Sequence, residues 1–213
     1  MAEEVFISPK KRGRIAVFLS GRGSNFRAIH DAIQAGKINA DIVLVFSNVD
    51  GAAGLLTAQE RGLETLYLNP KLFAGREDFD KEIIKELRKR EADLVCLAGY
   101  MKILTPLFCR EFRHRIMNIH PALLPSFPGL HVQQKAIDWG VRYSGATVHF
   151  VFEEVDMGPI ILQAVVPVLQ DDTEETLAAR ILVEEHKIYP ESVRLYFEGR
   201  LEVRGRRVFI RKP

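Results

Sequence analysis

The sequence predicts an α/β fold: a Rossmann-like, doubly wound and mostly parallel sheet with a C-terminal antiparallel extension and a long C-terminal helix. Short apolar runs rich in Val, Ile and Leu alternate with helical patterns, which is typical of parallel strands buried on both faces. These runs lie at residues 15–19, 41–46, 64–68, 93–98 and 115–119. After residue 144, apolar runs at 146–152 and 159–168 flank a polar loop, which indicates an antiparallel pair.

Helical periodicity connects the predicted strands. The clearest case is the segment 76–90, whose apolar residues fall on one helical face: Phe79, Ile83, Ile84 and Leu87. Weaker helical patterns lie at about 25–36, 52–61 and 130–139. Parallel strands need such crossovers, so the helices agree with the predicted sheet.

The C-terminal part is predicted as a long helix followed by a small hairpin. Asp172 and Glu175 have the spacing of a capping box, which indicates where this helix begins. The helical pattern then reaches about Phe197, and Pro190 is expected to disturb it. Residues 201–210 read as two short strands that turn about Gly205.

Composition favours one globular domain at 14–213, preceded by a charged, aperiodic and flexible extension at 1–13. The chain has 213 residues, of which 47% are apolar, and a net charge of +2, so it lacks the basic character of a nucleic-acid-binding protein. Its two cysteines, Cys96 and Cys109, have no metal-binding or redox spacing. Because the sequence has no apolar stretch of membrane-spanning length and no signal-peptide pattern, we expect a cytoplasmic protein that binds neither membranes nor metals.

A glycine turn follows the first strand, in the stretch SGRGSNFRAIH. Gly21 and Gly23 permit close backbone approach, and Ser24 and Asn25 can donate to an anion at the positive end of the next helix. Phe26 replaces the third glycine of the dinucleotide fingerprint, so a single phosphate fits better than a pyrophosphate. A tight turn whose Ser and Asn only cap the helix remains the alternative.

Polar residues also end the fifth strand, in the stretch MNIHP. Asn118 and His120 are two apart and face the same side of an extended chain, and Asp156 lies in the loop between the two later strands. An amide, an imidazole and a carboxylate that meet would stabilise an oxyanion and move a proton. No serine or cysteine stands beside His120, so the nucleophile would come from the substrate. Each residue alone has an ordinary structural explanation: a turn cap, a buried histidine or a solvated loop carboxylate.

Six motifs together resemble the phosphoribosylglycinamide formyltransferase family. They are GRGSN at 21–25, LAGYMKIL at 97–104, NIHPALLPSFPGLH at 118–131, ATVHFV at 146–151, VDMGPIILQ at 155–163 and EEHKIYP at 184–190. The resemblance implies formyl transfer from 10-formyltetrahydrofolate, as cosubstrate, to the amine of glycinamide ribonucleotide in de novo purine biosynthesis. It implies these two small molecules as partners, no metal, and a monomer or homodimer.

The resemblance also implies roles for individual residues. His120 would be the general acid, Asn118 would hold the formyl oxygen, and Asp156 would support the protonated imidazole and order a proton-carrying water. Glu185 would contact the glycinamide end of the substrate. The substrate phosphate would lie on Gly23, Ser24 and Asn25. The folate would contact Arg76, Met101, Lys102, Ile103, Leu104, Phe152, Glu153, Glu154 and Val155.

Three other functions remain open. A 10-formyltetrahydrofolate hydrolase shares the same trio of site residues but passes the formyl group to water. Methionyl-tRNA formyltransferase also uses the trio. Both families normally add a further domain, so the chain length disfavours them. A non-catalytic phosphate-binding domain is disfavoured because all three polar residues are present in register.

Lys102 and Tyr100 stand where the family more often has arginine and phenylalanine, which leaves the folate fit open.

Overall fold

The computed structural model describes residues 4–212 and shows one ten-stranded sheet with helices on both faces. The strands are β1 (Glu4–Phe6), β2 (Gly13–Leu19), β3 (Ala40–Ser47), β4 (Thr65–Tyr67), β5 (Leu94–Leu97), β6 (Ile116–His120), β7 (Tyr143–Phe150), β8 (Ile160–Pro167), β9 (Leu201–Arg204) and β10 (Arg207–Ile210). The helices are α1 (Ser24–Gln34), α2 (Ala53–Glu60), α3 (Arg76–Lys89), α4 (Pro106–Glu111), α5 (Val132–Asp138) and α6 (Glu174–Phe197). A short 3-10 turn covers Pro70–Leu72.

The strand order is β1-β9-β10-β8-β7-β6-β5-β2-β3-β4. Strands β4, β3, β2, β5 and β6 run parallel, whereas β7 is antiparallel to β6 and β8 is antiparallel to β7. The order reverses between β2 and β5, so the connections leaving these two strands diverge and open a crevice at their carboxyl ends. The predicted α/β class, the parallel sheet and its antiparallel extension are confirmed.

Two apolar cores cover the two faces of the sheet. One contains side chains from α1, α2, α5 and α6, and the other contains those from α3 and α4. The predicted apolar face of α3 is buried in the second core through Phe79, Ile83, Ile84 and Leu87. Burying each large apolar side chain stabilises the fold by about 1.5–3 kcal/mol, so both layers of helices are held by the sheet they cover.

Helix α6 begins with a different cap from the predicted one. Thr173 is the N-cap, and it forms the capping box with Thr176. The prediction that Asp172 and Glu175 form this box is wrong. Asp172 precedes the N-cap, and its carboxylate instead pairs with both terminal nitrogens of Arg180, at 2.7 and 2.8 Å, and accepts the Leu169 N–H at 2.7 Å.

Pro190 lies inside α6, and the helix continues through it to Phe197. The neighbouring Tyr189 and Val193 are fully buried against the sheet, and this packing compensates for the missing backbone hydrogen bond. Although α6 spans 24 residues, neither it nor any other helix within residues 4–212 has the length and apolar character needed to cross a bilayer.

The N-terminal segment is more ordered than its sequence indicates. Glu4–Phe6 pairs with β9 as an antiparallel edge strand, and Ile7 is buried and donates its N–H to the Leu201 carbonyl at 3.1 Å. The prediction of a flexible extension at 1–13 therefore differs from the structure over these residues, while residues 1–3 lie outside the described part. A three-residue strand has no detectable period, and its partner comes from the other end of the chain.

Candidate active site

The predicted trio converges on one face of β6 and β7. Asn118 and His120 face the same side of β6, and their antiparallel partners on β7 are His149 and Thr147. The Nδ1 atom of His120 lies 3.5 Å from Oδ2 of Asp156. His120 is buried, and the Asp156 side chain is only 10% exposed. The loop after β7 therefore folds back over the strand end and brings a carboxylate to the imidazole.

The hydrogen-bond partners of His120 fix which of its nitrogens carries a hydrogen. Its Nε2 lies 2.8 Å from the carbonyl oxygen of Phe127. A carbonyl oxygen only accepts, so Nε2 carries the hydrogen and Nδ1 faces the Asp156 carboxylate. When the ring is protonated, the Nδ1–H also points at this carboxylate, whose Oδ2 lies 3.5 Å from Nδ1.

His149 belongs to the site, although the sequence reasoning did not single it out. Its Nδ1 donates to the Phe150 carbonyl at 2.9 Å, so its Nε2 is an acceptor, 3.2 Å from Nδ2 of Asn118. Burial lowers the pKa of His149, so this ring is neutral near pH 7. His149 thus orients the Asn118 amide. A polar residue within an apolar strand, two positions after Thr147, was the available sequence signal.

The loop that carries Asp156 is fixed by unusual backbone conformations. Asp156 has φ +55°, and its Oδ2 accepts the Gly129 N–H at 2.9 Å. At Gly158 a Cβ atom would lie 1.7 Å from the Phe150 carbonyl oxygen, so only glycine fits. The loops after β6 and β7 therefore meet at the Asp156 carboxylate.

The glycine turn after β2 has the geometry of an anion-binding helix end. Gly23 has φ +69°, and a Cβ atom there would lie 2.9 Å from the Gly54 Cα. Helix α1 starts at Ser24, with no side-chain cap and no acidic residue in its first turn. Its first N–H groups and the positive end of its dipole are therefore open to an anion.

The turn is joined directly to Glu185 on α6. Nδ2 of Asn25 donates to Oε2 of Glu185 at 2.6 Å, in a buried position. Burial raises the pKa of Glu185, and the donation from Asn25 opposes that rise. Oδ1 of Asn25 is buried and has no hydrogen-bond partner within residues 4–212. The residues expected to hold the phosphate and the glycinamide end are thus neighbours.

Helix α6 connects the glycine turn and Glu185 to the strand that carries Asn118 and His120. Tyr189, one turn after Glu185, donates its hydroxyl hydrogen toward the carbonyl oxygens of Leu97 on β5 and Met117 on β6, at 3.1 and 2.9 Å. Met117 directly precedes Asn118. The turn, Glu185 and the trio therefore lie at the same edge of the sheet, beside the carboxyl ends of β2, β5 and β6.

The predicted folate segment 101–104 is held from both sides. Arg76 donates to the Ile103 carbonyl at 2.8 Å, and the Met101 N–H donates to the Ser20 hydroxyl at 2.9 Å. The side chains of Met101 and Ile103 are exposed, that of Leu104 is buried, and the ammonium of Lys102 lies over the Phe79 ring. An apolar surface thus borders the crevice, and the Arg76 side chain is engaged within the protein.

The second predicted folate segment is the loop after β7. Phe152 is half-buried under the guanidinium of Arg113, which also pairs with Glu153 at 3.7 Å. Glu154 and Val155 are exposed. These residues lie directly before Asp156, so a ligand that contacts them would lie next to the trio.

Neither cysteine can act as a nucleophile at this site. Cys96 and Cys109 are buried, and burial raises their pKa values to about 12 and about 11. Within residues 4–212 no three His, Cys, Asp or Glu side chains are grouped as metal ligands. The arrangement offers hydrogen-bond donors and a proton carrier, which suits attack by a nucleophile that belongs to a substrate.

Comparisons with known proteins show the family of the chain. The formyl transferase family matches residues 13–193. The chain is 44% identical to the phosphoribosylglycinamide formyltransferase of Escherichia coli (strain K12), over 89% of each chain. It is 47% identical to the trifunctional purine biosynthetic protein adenosine-3 of Drosophila melanogaster, over 89% of this chain but only 14% of that protein.

A solved structure shows the same architecture. The glycinamide ribonucleotide transformylase 1 of Symbiobacterium toebii superimposes with a TM-score of 0.93 at 48% identity, over 94% of this chain and 95% of that one. The sequence match and the structural match each cover most of the residues that form the sheet and the site. The chain therefore belongs to the formyl transferase family.

Proposed function

We propose that this chain transfers the formyl group of 10-formyltetrahydrofolate to the amine of glycinamide ribonucleotide, a step of de novo purine biosynthesis. The observation that best supports this function is the convergence of Asn118, His120 and Asp156 near the uncapped start of α1 and the buried carboxylate of Glu185. The names of the bacterial relatives, which match over most of their length, support the choice of substrates. We further propose that residues 14–213, together with the edge strand β1, act as a single catalytic domain.

The reaction begins when the substrate amine attacks the formyl carbon. A new C–N bond forms, and the electrons of the carbonyl double bond move onto the formyl oxygen. One N–H of the Asn118 amide is committed to His149, and the other is left to donate to this oxyanion. His120 donates from Nε2, so the formyl oxygen replaces the Phe127 carbonyl as its partner.

Proton transfer then completes the reaction. The attacking nitrogen becomes positively charged and must lose a proton, while N10 of the folate must gain one before its bond to the formyl carbon breaks. Asp156 lies between His120 and His149 and is slightly exposed to solvent, so a water molecule held by its carboxylate can carry the proton between the two nitrogens. The Asp156 charge also stabilises the protonated His120 that donates to the oxyanion.

The two substrates are proposed to bind on either side of the trio. The phosphate of the acceptor lies on the first turn of α1, at Gly23, Ser24 and Asn25. The glycinamide end donates to the acceptor atoms of Glu185 and to the orphan Oδ1 of Asn25. The folate contacts Arg76, Met101, Lys102, Ile103, Leu104, Phe152, Glu153, Glu154 and Val155.

The test is acceptor dependence. Purified protein is incubated with 10-formyltetrahydrofolate, with and without glycinamide ribonucleotide, and loss of the formyl-folate is followed by chromatography. We expect turnover only with the acceptor, and no turnover by His120→Ala under either condition. If 10-formyltetrahydrofolate is consumed equally fast without the acceptor, the chain is a hydrolase and the transferase proposal is wrong. Glycinamide riboside, which lacks the phosphate, is expected to be a much poorer acceptor.

A further inference from the structure

The residue next to His120 in the sheet makes contacts that the proposed reaction does not explain. His120 on β6, Thr147 on β7 and Gln163 on β8 are register partners and form one row across the three strands. Thr147 is fully buried. A buried polar side chain requires hydrogen-bond partners, and these partners show which part of the backbone the Thr147 hydroxyl fixes in place.

Thr147 holds the first turn of the loop that leaves His120. Its hydroxyl donates to the Ala122 carbonyl at 2.7 Å and accepts the Leu124 N–H at 3.1 Å. Gln163 donates from Nε2 to the Thr147 hydroxyl at 3.0 Å and to the Leu124 carbonyl at 2.9 Å. One hydroxyl and one amide thus fix the backbone two to four residues after His120.

The same loop supplies two contacts to the trio a few residues later. The Phe127 carbonyl accepts from Nε2 of His120, and the Gly129 N–H donates to Asp156. The position of both groups depends on where the loop starts. Because Thr147 is rigidly placed in the middle of the sheet, it transmits that position from the scaffold to the imidazole.

We propose that Thr147, supported by Gln163, is a positioning residue that sets the tautomer and orientation of His120 through the loop 121–129. This inference rests on the proposed function, since it gives the residue a part in that reaction. Thr147 is not a catalytic residue, because its contacts are to the loop backbone and to Gln163. Displacing a reacting group by about 1 Å costs up to about 100-fold in rate, which sets the scale of the effect.

The test compares Thr147→Val, which keeps the shape and removes the hydroxyl, with Thr147→Ser, which keeps the hydroxyl. We expect Thr147→Val to lower kcat about 10- to 100-fold, with the KM for the acceptor changed less than threefold, because the acceptor binds at α1 and α6. Its pH profile of kcat should also shift relative to wild type. Thr147→Ser should restore at least a third of wild-type kcat together with the wild-type profile.

Two further measurements distinguish loss of positioning from misfolding and from failure of the proposed function. Gln163→Met removes the supporting donor from a side chain that is exposed overall, and it should lower kcat less than Thr147→Val without loss of fold. The second measurement is the ¹⁵N NMR chemical shifts of the His120 imidazole in ¹⁵N-histidine-labelled protein without substrates. These shifts are assigned by comparison with His120→Gln. In wild type the neutral ring should be the Nε2–H tautomer, whereas in Thr147→Val it should be a mixture of the two tautomers. This readout does not require the enzyme to be active.

A folded Thr147→Val protein with wild-type kcat and a wild-type His120 tautomer would overturn the inference. So would a Thr147→Ser protein as impaired as Thr147→Val. If wild-type protein shows the expected tautomer and its change in Thr147→Val but no acceptor-dependent turnover, the proposed function fails while the positioning contact stands.

Discussion

Replacing Asp156 by Asn isolates the charge of the trio. The substituted side chain can keep its oxygen at the position of Oδ2, where it still accepts the Gly129 N–H. Its new NH₂ group then takes the position of Oδ1, 3.7 Å from Nε2 of His149, which is an acceptor. The geometry of the loop is therefore retained, and only the negative charge beside His120 is lost.

The size of the effect follows from the distance between the two groups. At 3.5 Å between Nδ1 of His120 and Oδ2 of Asp156, and with an effective dielectric constant of about 20, the attraction in the charged state is about 5 kcal/mol. This corresponds to about 10³-fold in rate if all of it acts in the transition state. Partial exposure and the retained hydrogen bonds reduce it, so we expect kcat to fall about 10²- to 10³-fold.

The assay is steady-state formyl transfer with both substrates varied. The KM for the acceptor should change less than threefold, because the proposed acceptor site is at α1 and α6. Asp138→Asn is the matched control, since Asp138 is an exposed carboxylate on α5 that bonds only to Gln134 among the described residues. A folded Asp156→Asn protein with kcat within threefold of wild type would refute a role for this charge in proton transfer.

Three further predictions concern stability, measured as the free energy of unfolding by denaturant titration. Gly23→Ala should lose about 1–2 kcal/mol because of its positive φ and its contact with α2, whereas Gly21→Ala, with open space around it, should lose under about 0.5 kcal/mol. Glu185→Gln should be more stable than wild type by roughly 0.5–2 kcal/mol at pH 8, while acceptor binding weakens. Burial raises the pKa of Glu185 above its pKa in the unfolded chain, so the charged carboxylate lowers the stability of the wild type as pH rises above that unfolded pKa. The gain should therefore vanish below about pH 4, where the carboxyl group is protonated in both states. Asp172→Asn should lose about 1–3 kcal/mol at pH 7, because pairing with Arg180 lowers the pKa of Asp172; this contribution exists above the unfolded pKa, and the difference should shrink as pH falls below about 4. A constant difference across pH would contradict either of the last two arguments.

The site shows where reasoning from the sequence stops. The two-residue spacing of Asn118 and His120 predicts their common face, because side chains alternate along a strand. The loop position of Asp156 gives no information on how the loop folds. His149 was missed because its partner Asn118 comes from another strand, and pairing register is a property of the sheet. The capping residues of α6 were misassigned by one position, because Asp172 and Thr173 are both favoured N-cap residue types and the local sequence does not choose between them.

The sequence by itself determined the α/β class, the alternation of strands and helices and the common face of Asn118 and His120, because periodicity and local turn chemistry act over a few positions. Only the tertiary structure decided how distant segments meet: the edge strand β1 on β9, the Asn25–Glu185 contact, and the row of His120, Thr147 and Gln163. These contacts join residues far apart in the chain. They depend on strand order and register, which are set by how the whole sheet packs rather than by any local pattern.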